Sequence, residues 1–129
     1  MFQLNAILNS TVLDDVLQGL QDEDIQGVTI SDVTGKGCLQ TANQKLVKKV
    51  MIIVLVANNS CKEKAMEAIR ANAQDIEHGA GKMWVTPVLE VERIRTGEKD
   101  TDALTLMSHK EANHTLNVES YNTIDTPAS

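Results

Sequence analysis

The stretch VMIIVLVA, residues 50–57, has no polar side chain at any position. It is too short to cross a bilayer as a helix and suits one strand of a sheet. A strand with no polar parity has to be covered on both faces. A single helical layer covers only one face of a small sheet. The pattern therefore points to burial of the other face against a second subunit, with a central strand in a larger core as the alternative it leaves open.

Upstream, TGKGCLQTANQKLVKK, residues 34–49, holds Gly35, Gly37, Lys36, Lys45, Lys48 and Lys49 and reads as a polar connector. Before it, VTISDV, residues 28–33, reads as a strand that follows a turn at Gly27. At the start of the chain, FQLNAIL sets Phe2, Leu4, Ala6 and Leu8 on one parity, which predicts a first strand. The period then changes. Val12, Leu13, Val16, Leu17 and Leu20 form one helical face, with Thr11 as the expected cap and Asp14 and Asp15 in the first turn. These two carboxylates are read as partners of the helix dipole, not as an acid–base pair.

Downstream, NNSCKEKAMEAIRANAQ, residues 58–74, predicts a second helix with Ala65, Met66, Ala68, Ile69 and Ala73 as its apolar stripe. Ser60 and Glu63 fit a capping box, and Cys61 suits small-residue packing. IEHGAGKMWV, residues 76–85, then sets Gly79 and Gly81 around Ala80, with Lys82 leading an apolar run. Glycine serves where backbone angles or close approaches exclude a side chain. The stretch is either a tight turn into a strand or a backbone cradle for an anion with Lys82 as counter-charge. It lacks the spacing and the Ser/Thr of a Walker loop. KMWVTPVLEVERIRTG, residues 82–97, reads as a last extended segment, with Pro87 marking a bulge, edge or break and Arg93 and Arg95 on one parity.

The order strand, helix, strand, strand, helix, strand predicts an α+β fold. It is the ferredoxin-like split βαβ sandwich, a four-stranded antiparallel sheet backed by two helices. Residues 1–104 form this domain, with a short loop at about 37–49. Residues 105–129 form a polar C-terminal extension. Leu104 just before it and Leu106, Met107 and Leu116 within it suit docking of a short element, and LNVESYNTI suits an edge strand, with disorder of the final ten residues as the alternative.

The net charge of -6 argues against nucleic acid or an anionic membrane as main partner. Phe2, Trp84 and Tyr121 are the only aromatic residues, few for a protein that stacks bases. Cys38 and Cys61 form neither a CxxC nor a disulfide framework. His109 and His114 have no obvious third ligand beside them, and His78 flanks the glycine turn. No signal-peptide pattern opens the chain, so a cytoplasmic location is expected.

LDDV at 13–16, GVTISDVTGKG at 27–37, GAGK at 79–82 and ERIRTGEKD at 92–100 stand in the order and approximate spacing of the PII signal-transduction family. The chain resembles that family over about residues 2–104, most specifically in RIRTGEKD. The resemblance implies a homotrimer with the sheets facing the threefold axis and adenine nucleotides, ADP or ATP, in clefts between subunits. It implies a regulatory, non-enzymatic protein that controls a partner, such as a membrane transporter, through nucleotide-dependent loop or tail conformation. It also implies roles for particular residues. Thr29 falls where a side chain reaches the adenine region, and Gly35 and Gly37, with Lys36 between them, fall where backbone approaches the nucleotide. Gly79, Ala80, Gly81 and Lys82 match the turn that holds phosphates. Arg93 and Arg95 match the arginines that reach them, with the fork geometry suited to phosphate.

Several positions depart from the family pattern. Ala80 replaces an acidic residue, the connector is shorter than a full interaction loop, and its modified tyrosine is absent. The glutamine that helps hold magnesium and 2-oxoglutarate lies opposite Leu39, with Gln40 next to it. These departures imply a PII-like relative with an intact nucleotide cleft, a weakened magnesium side that leans toward ADP, and no 2-oxoglutarate response. Two other readings stand beside this one. One is a weak ATP or acyl-phosphate hydrolase, for which no nucleophile is matched. The other is a nucleotide-independent trimeric scaffold.

Overall fold

The computed structural model describes residues 1–36, 46–75 and 79–105. The expectations placed on Gly37, Cys38, Leu39, Gln40, His78 and residues 106–129 lie outside the described residues. The chain forms two compact units. One spans Met1–Val88, and the other begins at Leu89 and is described as far as Thr105.

The first unit runs β1 (Phe2–Leu8), α1 (Leu13–Asp22), β2 (Val28–Gly35), β3 (Val47–Val56), α2 (Asn59–Asn72) and β4 (Lys82–Pro87). The strands form one sheet in the order β2-β3-β1-β4, and every neighbouring pair is antiparallel. With two helices over one face, this is the ferredoxin-like sandwich that the element order predicts.

Register explains the core. Leu4 lies opposite Val54 on one side and Val85 on the other, and Ala6 opposite Ile52 and Met83. Leu4, Leu8, Val16, Leu20, Ile52 and Val54 are fully buried between sheet and helices. Each such side chain contributes roughly 1.5–3 kcal/mol of transfer free energy. Ala65, Ala68 and Ala73 bring α2 close to the sheet and to α1. Gly19 of α1 completes that approach, because a Cβ there would stand 2.4 Å from Asn72 Nδ2. The opposite face of the sheet carries Met51, Ile53, Leu55 and Trp84, with Leu55 and Trp84 exposed in the single chain.

Several local expectations are corrected. Thr11 does not cap α1. It lies inside a 3-10 turn, Ser10–Val12, that leads into the helix, so the capping position falls on Val12 and has no side-chain hydrogen bond. Asp14 and Asp15 do occupy the first turn of α1. The turn after α1 is made at Asp24 (φ 63°), not at Gly27; aspartate tolerates the left-handed region better than most side chains. Residues 47–49, read as connector, belong to β3, where Val47, Lys48 and Lys49 pair with Gly35, Thr34 and Val33. Ladder hydrogen bonding extends both strands past the end of the apolar pattern.

At α2 the Ser60–Glu63 capping box is replaced by Asn58, whose Oδ1 accepts from Cys61 N at 2.9 Å. Asn58 has extended backbone angles, and the helix begins at the next residue. Asn58→Ala is expected to cost about 1 kcal/mol, measurable as a lower urea midpoint, whereas Ser60→Ala leaves the midpoint within about 0.5 kcal/mol of the parent.

The last extended segment is also shorter than expected. β4 ends at Pro87, which an edge strand tolerates, and Val88 N still donates to Met1 O at 3.0 Å. Arg93 and Arg95 therefore do not share a strand face. They lie in the second unit, around a turn at residues 94–96. Glu92 and Lys99 pair across that turn, and Gly97 (φ 75°) allows it to close. A short 3-10 helix, Asp100–Leu104, follows.

Candidate functional site

The candidate residues occupy three places. Thr29 is exposed within β2, Gly35 ends that strand, and exposed Lys36 follows it. Gly79, Ala80, Gly81 and Lys82 form the turn into β4. Arg93 and Arg95 belong to the second unit.

Gly35 and the glycine turn lie at one end of the sheet, whereas Thr29, opposite Ile53, sits back along β2 towards its start. Gly35 pairs with Val47 at the start of β3, Leu8 with Val50, and Lys82 with Ile7 near the end of β1. They lie on opposite edges, however, because β2 and β4 are the outer strands. Three strand spacings of about 4.8 Å, together with the offset along the strands from Val47 to Met51, put Gly35 and Lys82 roughly 20 Å apart.

The glycine turn is built for backbone geometry. Gly79 has φ 77° and Gly81 has φ 91°. A Cβ on Gly81 would fall 1.9 Å from the Ile7 carbonyl oxygen, whereas around Gly79 there is open space. Gly81 thus lets the chain enter β4 directly against β1, and Gly79 supplies the reversal before it. Lys82 is exposed and Ala80 half-buried. Asn9, just beyond β1, fixes the turn: its Nδ2 donates to Gly79 O at 2.8 Å and to Asp75 Oδ2 at 3.0 Å. Its Oδ1 accepts from Lys49 Nζ. Asn9 has no periodic signature in the sequence. A polar residue between a strand and a helix reads as an ordinary loop residue.

Arg93 is deeply engaged within its own unit. Nη1 meets Glu98 Oε2 at 2.5 Å, and Nη2 donates to Ala103 O at 3.0 Å and Thr105 O at 2.8 Å. The backbone repeats the tie, with Arg93 N donating to Glu98 O and Gly97 N to Arg93 O, both at 2.8 Å. The side chain is 11% exposed. Of the acidic residues near the two arginines, Glu98 is thus the partner of Arg93, while Glu92 pairs with Lys99 at 3.3 Å. Arg95 is half-buried in the turn. Next to it, Thr96 Oγ1 is buried with no hydrogen-bond partner among the described residues.

This fold, with a glycine turn at the strand ends and a basic turn after β4, agrees with the comparison to known families. The family model described as Nitrogen regulatory protein P-II matches residues 1–98. The chain belongs to the P-II family. All ten candidate residues fall inside the matched region. A Nitrogen regulatory protein P-II from Azospirillum brasilense is 36% identical over 113 residues, covering 81% of this chain and 100% of the relative. Nitrogen regulatory protein P-II 1 of Methanothermobacter thermautotrophicus is 35% identical over 113 residues, covering 81% of this chain and 97% of the relative. A P-II protein of Mesorhizobium japonicum is 36% identical over 114 residues, with 81% and 100% covered. The role of this P-II protein is accordingly that of a regulator.

Proposed function

We propose that this P-II protein is an adenylate sensor. It assembles as a homotrimer, binds ADP or ATP in clefts between subunits, and controls a partner protein, such as a membrane transporter, through nucleotide-dependent conformation. One observation carries the reading. Gly35 and the glycine turn at 79–82, both matched to nucleotide contact, lie at one end of the sheet but on opposite edges, too far apart to close on one phosphate chain from a single subunit. A neighbouring copy that brings its β2 end to this chain's glycine turn completes the cleft. The sheet face with Met51, Ile53, Leu55 and Trp84, of which Leu55 and Trp84 are exposed in the single chain, supplies apolar surface for such an assembly. Lys82, exposed in the glycine turn, is a cation for the phosphates, and Arg93 and Arg95 are matched to the same role. Ala80 adds no carboxylate there, so ADP binding should depend little on magnesium.

Calorimetric titration with ADP and ATP, each with and without magnesium and separately with 2-oxoglutarate, tests the reading. Saturable adenylate binding is expected, weakened about tenfold or more in Arg95→Ala, as for loss of a charge-assisted hydrogen bond. A folded trimer that binds no nucleotide at millimolar concentration would sink the proposal. One observation favours a second reading, the nucleotide-independent scaffold: Arg93 is already engaged by Glu98 and two carbonyls.

A further inference from the structure

A single side-chain amide joins four segments at the end of the sheet that carries the glycine turn. Asn9 follows β1, is 7% exposed, and bonds to Lys49 of β3, to Asp75 beyond α2, and to Gly79 in the turn. Both hydrogens of its NH2 group are used on oxygens, and its carbonyl oxygen faces the lysine ammonium. The amide therefore has one sensible orientation. Turned over, it would set NH2 against an ammonium and a carbonyl against two oxygens. Lys49 stands close to where the 36–46 connector returns to the sheet, since Val47, two residues earlier, pairs with Gly35. The path from Lys49 through Asn9 to Gly79 crosses the end of the sheet, from β3 past β1 to the turn into β4.

We infer that Asn9 is the positioning residue of the glycine turn, and that through Lys49 it couples the state of that turn to the root of the connector. The coupling to a ligand rests on the nucleotide reading above; the positioning of the turn does not. A ligand that holds the turn in its bonded form strengthens the hold on Lys49. By reciprocity, Lys49 bound to Asn9 favours the ligand. The receiving end of the connector and the phosphate end of the cleft then respond together, although no strand pairing joins β3 to β4.

Asn9→Asp is the sharpest test. It is nearly isosteric and keeps an acceptor for Lys49. It removes both donors and sets a carboxylate against Asp75 and the Gly79 carbonyl. Amide hydrogen exchange at residues 79–82 of the ligand-free variant should quicken by about tenfold. The dissociation constant for ADP should rise by about tenfold, while that for adenosine, which has no phosphate, stays unchanged. A residue that merely supports the fold would weaken both ligands alike. Lys49→Met, a variant that leaves the turn contacts in place, should weaken ADP by about threefold, and the double variant should bind no worse than Asn9→Asp alone. Multiplying effects in the double variant would mean that Lys49 acts independently of Asn9 and would overturn the coupling. Unchanged exchange at the turn would overturn the positioning role, with or without nucleotide binding. Failure of the unsubstituted protein to bind ADP would overturn the ligand coupling together with the nucleotide reading, and the exchange data would still decide the role of Asn9 in the turn.

Discussion

Gly81→Ala is expected to remove about 3–5 kcal/mol of stability, a large part of the ~5–15 kcal/mol that holds a domain of this size together. Two costs combine. At φ 91° an L side chain is strained by ~1–3 kcal/mol. Its Cβ would also stand 1.9 Å from the Ile7 carbonyl oxygen. That oxygen is backbone of a central strand and cannot swing aside as a flexible side chain can, so relief requires β4 to move away from β1. The matched control is Gly79→Ala. It has a comparable angle, φ 77°, but open space around it, so only the strain of about 1–2 kcal/mol applies. Gly27→Ala, with no positive φ and no neighbour within 4 Å, should change stability by less than about 0.5 kcal/mol. Urea denaturation of the three variants checks the order. Equal losses at Gly79 and Gly81 would show that the approach to Ile7 does not govern the turn.

This pair of glycines also shows how far the sequence could be read. Flanking an alanine and leading a lysine, they marked a special backbone site, and they are one. The sequence left open whether backbone angle or a bound anion required them, because the decisive neighbour, Ile7, is distant along the chain. The element order was legible for a related reason. Leu4, Ala6 and Leu8 alternate, Val16 and Leu20 repeat at helical spacing, and residues 50–57 are uniformly apolar. Such patterns are written by burial, which also builds the core. Boundaries and caps were less legible, being set by single hydrogen bonds. Asn58 and Ser60 are equally plausible caps until the helix start is fixed, and Val47–Lys49 look like connector until β2 pairs with them. The arginines show the converse error. Continuing an extended pattern past Pro87 placed Arg93 and Arg95 on one strand face, whereas the strand ends there and the chain turns at residues 94–96, with Gly97 at φ 75°.

Arg93→Met should loosen the second unit selectively. The methionine keeps most of the apolar stem and removes every donor. Glu98 then loses its guanidinium, and Ala103 O and Thr105 O lose the Nη2 hydrogens that tie them down. All three bonds are charge-assisted, because the guanidinium is ionised, and would total roughly 4.5–9 kcal/mol if all were fully buried. Glu98 is 39% exposed and the bond to Thr105 O is exposed too, so solvent screening reduces both shares, and a local loss of about 2–4 kcal/mol is expected. Hydrogen exchange across residues 98–105 should rise by at least tenfold, while the sheet of the first unit, led by Leu4 and Ile52, stays protected. Lys99→Met provides the contrast. Its pair with Glu92 is exposed on both sides, at 61% and 52%, and such pairs contribute ~0–1 kcal/mol, so exchange should barely change. The same donor count bears on nucleotide. Both Nη2 hydrogens of Arg93 are already taken, so a phosphate reaching that nitrogen must displace the carbonyl of Ala103 or Thr105. ADP contacting Arg93 should therefore itself speed exchange at 103–105 in the parent protein. ADP binding that leaves these amides as protected as before would assign Arg93 to the clasp alone.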